Sequence, residues 1–140
     1  MKFVSALCIS FFLLSGCSEK KENKISSIAG LSWNSDMETS FTLAKKENKN
    51  VIVMVGEDSC KWCKKMQERT LTDKGIQDKM QKYVLVYIKR SDKDSLKDIP
   101  EFDGNIPSFF FMHSNKELME PVVGYFEAND FLSYIEEIEG

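Results

Sequence analysis

The sequence predicts an α/β fold, chiefly because a strand–helix–strand unit stands in the middle of the chain. Residues 51–55 (VIVMV) and 83–88 (YVLVYI) are apolar runs of strand length, which is typical of strands inside a sheet. Apolar residues at helical spacing connect them, over residues 60–69 and 73–82. Because strands joined through a helix pair in parallel, we expect these two strands to be parallel neighbours.

The elements closer to the C-terminus extend this sheet. Residues 108–112 (SFFFM) predict a strand, and residues 118–123 return as its hairpin partner. Pro121 has no N–H to donate, so this last strand should lie at an edge. A final amphipathic helix is expected to be capped by Asn129 or Asp130. The predicted architecture is a central mixed sheet of about four strands flanked by helices, with a C-terminal β-hairpin and helix.

Helix start signals precede two of the predicted elements. Ser35 and Glu38 fit a capping box at the start of a helix before the first strand. Trp33, just before this helix, is expected to pack beneath it. After the first strand, Asp58 or Ser59 is expected to cap the next helix.

The N-terminus has the pattern of a secretory signal peptide, in which the apolar residues 3–14 follow Lys2. This stretch is too short for a membrane span, which needs about 20 residues; an uncleaved anchor is the alternative. Residues 14–17 (LSGC) resemble the bacterial lipobox. That resemblance implies cleavage before Cys17, acylation of this cysteine, and export to the periplasm or another extracytoplasmic space.

Three regions follow from this interpretation. Residues 1–16 are the lipoprotein signal peptide, residues 17–30 a lipidated flexible tether of polar composition, and residues 31–140 one folded domain. The formal net charge of −3 implies no general affinity for nucleic acid. We expect a monomer that contacts the membrane through the lipid on Cys17.

Two cysteines, Cys60 and Cys63, lie where the first predicted strand ends and a helix begins. Free N–H groups and the helix dipole at such a junction favour a thiolate, which is the nucleophile of thiol-disulfide exchange. Cys8 would leave with the signal peptide and Cys17 would carry lipid. Cys60 and Cys63 would then be the remaining thiols, in a compartment where disulfides form.

The order of elements resembles the thioredoxin fold, and its periplasmic thioredoxin-related branch in particular. Residues 51–64 resemble the first core strand and active-site helix of that family. Residues 105–108 (NIPS) resemble the segment that contains a cis-proline, and residues 123–126 (VGYF) resemble the last strand and its glycine. The resemblance covers about residues 33–138 and implies a thiol-disulfide oxidoreductase.

The resemblance also implies a role for individual residues. Cys60 would be the attacking thiol and Cys63 the buried resolving thiol, and the two would form the redox-active disulfide. Pro107 would be cis beside it, and the backbone of Ile106 would pair with an extended substrate segment. Trp62 would lie exposed at the substrate surface. The implied substrates are protein thiols and disulfides, with a membrane or periplasmic redox partner, no cofactor, and reduction as the leading direction.

One position departs from the family pattern. Met54 stands where thioredoxins carry a buried acid beneath the cysteines. Glu57, Asp58 or Glu68 could replace that acid as proton acceptor for the resolving thiol. Lys61 would favour a thiolate at the neighbouring cysteine.

The cysteine pair has three other possible interpretations. A static structural disulfide would close too short a loop to add much stability. A metal site would need a third ligand such as His113, which follows Pro107 by six residues and so lies roughly 20 Å away along a strand; we therefore expect no metal. A non-catalytic binding lipoprotein would use the exposed Trp62 and the run of phenylalanines at 109–111.

Overall fold

A computed structural model describes residues 20–140 of the chain. The predicted signal peptide at residues 1–16 and the predicted lipidation site Cys17 lie outside the described residues. In chain order the elements are β1 (Ser26–Ile28), β2 (Leu31–Trp33), α1 (Met37–Glu47), β3 (Val51–Gly56), α2 (Lys61–Lys65), a π-helical turn (Met66–Thr70), α3 (Lys74–Met80), β4 (Val84–Lys89), α4 (Lys93–Leu96), β5 (Ser108–Met112), β6 (Leu118–Val123) and α5 (Ala128–Glu139). None of the helices in this described part has the length and apolar character needed to span a bilayer.

The main sheet has four strands in the order β4-β3-β5-β6. β3 pairs in parallel with β4 and antiparallel with β5, and β6 is antiparallel to β5. The predicted mixed sheet is therefore confirmed, as are the parallel pair and the edge position of the strand that contains Pro121. Met54 in β3 stands between Tyr87 of β4 and Phe109 of β5 in the ladder.

The expected internal position of β4 is wrong, because this strand lies at the edge of the four-stranded sheet. Its outer side is covered by one residue, Asn34. The N–H of Asn34 donates to the carbonyl of Leu85 at 2.8 Å, and the N–H of Tyr87 donates to the carbonyl of Asn34 at 2.9 Å. The side-chain amide of Asn34 donates to Leu85 as well, at 3.0 Å. These bonds occupy backbone groups that an open edge would expose.

The boundary between tether and domain at residue 31 needs correction. β1 and β2 form an antiparallel hairpin in which Ser26 pairs with Trp33. Ala29 and Gly30 form its turn with φ values of 54° and 77°, as the two-residue turns that suit hairpins require. The fold therefore begins within the segment that polar composition assigns to the tether.

The starts of α1 and α5 differ from their predicted caps. Asp36, rather than Ser35, caps α1, and its carboxylate accepts a first-turn N–H at 2.7 Å. The helix α5 begins after Glu127 without a side-chain cap, so neither Asn129 nor Asp130 has the predicted role. Several residues near each helix start are of types that commonly serve as N-caps. Residue type alone therefore does not identify the residue that caps the helix.

The core has two parts, one on each face of the sheet. The first contains α1 packed on alternate residues of β3, such as Val53. The second contains Met54, Cys63 and the helical segments that follow β3, and Trp33 belongs to it. The prediction that Trp33 packs beneath α1 is therefore wrong, because β2 directs it to the opposite face.

Candidate active site

The two cysteines form a disulfide at the start of α2. Cys60 itself is the N-cap, and its sulfur accepts a hydrogen bond from the N–H of Cys63 at 3.1 Å. The prediction that Asp58 or Ser59 caps this helix is therefore wrong. Cys63 is only 1% exposed, whereas Cys60 is partly exposed. An external thiol can reach Cys60, and Cys63 is buried behind it.

Ile106 and Pro107 lie at the same end of the sheet as the disulfide. Their peptide bond is cis, and Ser108, the next residue, pairs with Val55 near the end of β3. The chain continues from β3 directly into the cysteine loop. The carbonyl of Pro107 accepts a hydrogen bond from the N–H of Gly124 at 2.8 Å, which ties this segment to the end of β6.

An aromatic cluster borders the disulfide. Trp62, between the two cysteines, is 56% exposed, and its ring lies 5.4 Å from that of Tyr125. The ammonium of Lys65 stands 4.9 Å from the Trp62 ring and 4.5 Å from the Tyr125 ring. Cation–π attraction therefore supports the exposed indole in one position.

Tyr125 is a site residue that the sequence analysis did not single out. It follows the glycine after β6, and this glycine–aromatic pair was the available signal. Its hydroxyl is buried and has no hydrogen-bond partner among the described residues. The ring, rather than the hydroxyl, carries its contacts with Trp62.

The position at which thioredoxins carry a buried acid is apolar here, and it belongs to the same core cluster as Cys63. Met54 is fully buried. Glu57 accepts N–H bonds from Asp58 at 3.1 Å and Ser91 at 3.0 Å. The backbone hydrogen bond from Asp58, followed by the bonds from Ser91, lowers the pKa of Glu57. A lower pKa makes this carboxylate a weaker proton acceptor.

The other two candidate acceptors lie at the surface. Asp58 forms an ion pair with Lys89 at 2.7 Å, and both side chains are largely exposed. Glu68 is exposed as well. None of the three carboxylates predicted as substitutes occupies the buried position of Met54.

Tyr87 is a second residue near the site that the sequence analysis missed, because in the sequence it is one more residue of the apolar run 83–88. Its ring lies over Gly56, where an added Cβ would come within 2.8 Å of the hydroxyl oxygen. Burial chiefly, and then the charges of Asp58 and Glu57, raise the pKa of Tyr87. The phenol is therefore neutral beside the cysteine loop.

His113 lies at the other end of β5, where its N–H donates to the carbonyl of Glu117 at 2.8 Å in a turn. Met112 pairs with Val51 at the start of β3, while the cysteines follow the end of that strand. Within residues 20–140, no three His, Cys, Asp or Glu side chains are grouped so that they could hold a metal ion.

The fold and this site define a thioredoxin-like protein with a CxxC disulfide at a strand–helix junction. The chain belongs to the family Thioredox_DsbH, described as "Protein of unknown function, DUF255", whose model matches residues 23–113.

A curated relative is the "Thiol:disulfide interchange protein DsbD" of Actinobacillus pleuropneumoniae serotype 5b (strain L20). It is 29% identical over 101 residues, which are 69% of this chain and 17% of that protein. The chain thus spans less than a fifth of the curated relative that it matches.

Solved structures share the fold. The oxidised C-terminal domain of Neisseria meningitidis DsbD has 22% sequence identity and a TM-score of 0.58, covering 71% of this chain and 90% of that one. A thioredoxin from Thermus thermophilus has 18% identity and a TM-score of 0.64, covering 74% of this chain and 84% of that one. The predicted thioredoxin-like fold is confirmed.

Proposed function

We propose that this protein is a thiol-disulfide oxidoreductase of the bacterial envelope that acts on protein disulfides, as a reductase. The observation that carries the proposal is the Cys60–Cys63 disulfide, with one partly exposed and one buried sulfur at the start of a helix. The DsbD relative, named a thiol:disulfide interchange protein, supports this chemistry. The family model itself describes no function.

The reaction has two exchange steps. In the reduced protein, the thiolate of Cys60 attacks one sulfur of a substrate disulfide, and the other substrate sulfur leaves as a thiolate. Cys63 then loses its proton and attacks the sulfur of Cys60, which releases the second substrate thiolate and leaves the Cys60–Cys63 disulfide. Two electrons have passed to the substrate, and an external dithiol must restore them.

The proposed substrate contacts are supported by the geometry around Cys60. In the proposal, the backbone of Ile106 pairs with an extended substrate segment, and Pro107 borders the disulfide. Trp62 supplies an aromatic surface that Tyr125 and Lys65 hold in place. Protein segments with an accessible disulfide fit this open surface.

The location is part of the proposal. The protein is exported, cleaved before Cys17, and held on a bacterial membrane by acyl chains on that cysteine, each buried CH₂ adding about 0.8 kcal/mol. Its domain faces the periplasm or an equivalent extracytoplasmic space. A membrane or periplasmic dithiol protein supplies electrons, and the chain acts as a monomer.

Reduction of insulin by the purified protein with a dithiol donor tests the activity. We expect Cys60→Ser to abolish it, and Cys63→Ser to accumulate a mixed disulfide through Cys60. A Cys60→Ser chain with unchanged activity would contradict the proposal. Absence of insulin reduction by the unaltered protein would favour the non-catalytic binding lipoprotein, for which the exposed Trp62 is the supporting observation. The reduction potential tests the direction of electron transfer. A value of about −270 mV is expected of a reductase, and one of about −120 mV of an oxidant.

A further inference from the structure

Residues 21–24, named here the arm, lie against the domain instead of extending from it. Asn23 makes the central contacts. Its side-chain oxygen accepts the N–H groups of Ser35 at 3.0 Å and Asp36 at 3.1 Å, and its amide nitrogen donates to Asn34 at 3.0 Å. Asn34 is the residue that covers the edge of β4. One side chain thus joins the arm to the start of α1 and to the sheet.

The arm has a second attachment at Lys21. Its ammonium pairs with the carboxylate of Asp92 and donates to the hydroxyl of Ser95 at 3.0 Å. Partial burial acts to raise the pKa of Asp92, but hydrogen bonds from Lys21 and Ser95 outweigh it and lower this pKa. The carboxylate is therefore ionised at neutral pH and holds the lysine near α4.

This attachment is at the redox end of the domain. β3 and β4 are parallel, so the loop with Cys60 and the loop with Asp92 both follow the C-terminal ends of these strands, at the same end of the sheet. The N–H of Ser91 donates to the carboxylate of Glu57 at 3.0 Å and joins the two loops. The arm also forms one wall of a cavity of about 810 Å³, and Asp58, two residues before the disulfide, lies in its lining.

The arm sets how far the domain can stand from its anchor. Lys21 is four positions after Cys17, and four positions of extended chain span at most about 14 Å. A tether that stayed free to residue 30 could instead span about 45 Å. Docking of the arm therefore removes most of the reach that the polar segment would otherwise have.

We propose that the arm holds the redox end of the domain towards the membrane, so that Cys60 lies close to the bilayer surface. This inference rests on the proposed acylation of Cys17. The turn with His113 lies at the opposite end of the sheet and faces away from the membrane. A partner anchored in the bilayer can then meet the disulfide without a long tether.

The orientation can be measured by energy transfer from a fluorophore on the domain to acceptor lipids. The acylated full chain is placed in vesicles of phosphatidylethanolamine and phosphatidylglycerol that contain rhodamine lipid. One sample carries the label on Cys60 in the Cys63→Ser chain. The other carries it on Asn115→Cys in a Cys60→Ser/Cys63→Ser chain, at the far turn. We expect higher transfer efficiency from the label on Cys60.

Arm variants show whether the docked segment causes this difference. Combining Lys21→Ala with Asn23→Ala should abolish the difference between the two labels. Lys20→Ala removes the same charge from a neighbouring exposed residue outside these contacts, and it should leave the difference unchanged. Equal transfer from both labels in the unaltered arm, or higher transfer from the far turn, would overturn the inference while the vesicles still carry the protein. Protein that does not sediment with the vesicles would refute the lipid anchor, and the inference with it, without touching the insulin result.

Discussion

Replacing Gly56 by alanine tests the packing beneath the cysteine loop. Gly56 ends β3 opposite Lys89, and its φ is not in the left-handed region. The backbone therefore accepts alanine, and loss of glycine's chain entropy in a strand would by itself stabilise the fold by about 0.5–1 kcal/mol. The added Cβ would meet Tyr87 at 2.8 Å from the hydroxyl oxygen, 3.0 Å from Cε2 and 3.3 Å from Cζ. Such overpacking costs about 1–3 kcal/mol.

The expected net result is a loss of about 1 kcal/mol in the free energy of unfolding, since the overpacking cost less the glycine gain leaves between about 0 and 2.5 kcal/mol. Tyr87→Leu removes the ring atoms that cause the clash, so Gly56→Ala should be neutral or stabilising in that background. Tyr87→Phe removes only the shortest of the three contacts and should relieve part of the cost. Urea unfolding of the oxidised protein, followed by the fluorescence of the buried Trp33, measures each variant.

A double-mutant cycle isolates the contact between residues 56 and 87. We expect a coupling free energy of at least about 1 kcal/mol, since residues in contact couple by 0.5–3 kcal/mol. Additive effects, within about 0.5 kcal/mol, would show that the ring of Tyr87 does not occupy the space over Gly56. The account of this site would then be refuted.

Three further predictions concern single side chains. Burial chiefly, and then Glu139, raise the pKa of Tyr83, so above about pH 10 the folded state keeps a proton that the unfolded chain loses. The free energy of unfolding should therefore keep its full value below about pH 10 and fall as the pH rises further. Tyr83→Phe should flatten that fall in urea titrations. Tyr125→Phe removes a buried hydroxyl without a partner among the described residues, so thermal unfolding should show unchanged or higher stability, by up to about 1 kcal/mol; a clear loss would reveal a missed hydrogen bond. Met54→Asp places a carboxyl group in a fully buried position and should cost several kcal/mol, against less than about 1.5 kcal/mol for the volume-conserving Met54→Leu.

The elements that could be predicted are those with long apolar patterns. β3, β5 and β6 follow from apolar runs and from Pro121, and the cysteine spacing located the start of α2. The hairpin of β1 and β2 could not be predicted in this way, since only Leu31 and Trp33 in it are buried. Three-residue strands with serine on their open face carry almost no periodic signal.

The contacts of the arm could not be predicted for a different reason. Asn23 bonds to the start of α1, and Lys21 bonds to Asp92, a residue 71 positions later. Polar side chains choose such partners by tertiary position, and composition describes the same segment as a solvated tether. The edge position of β4 escaped prediction likewise, because Asn34 covers it from outside the sheet.

One residue of β4, Tyr87, lies next to two positions at the end of β3. Met54 brings no charge to its buried position, and Gly56 brings no side chain to the last position of the strand. Tyr87 pairs with Met54 in the ladder, and its ring lies over Gly56. The side chain from β4 therefore fills the space beside Gly56. Its phenol is neutral, because folding raises its pKa. In the proposed mechanism, the N–H of Cys63, which donates to the sulfur of Cys60, and the lysines near the start of α2 would stabilise a thiolate at Cys60.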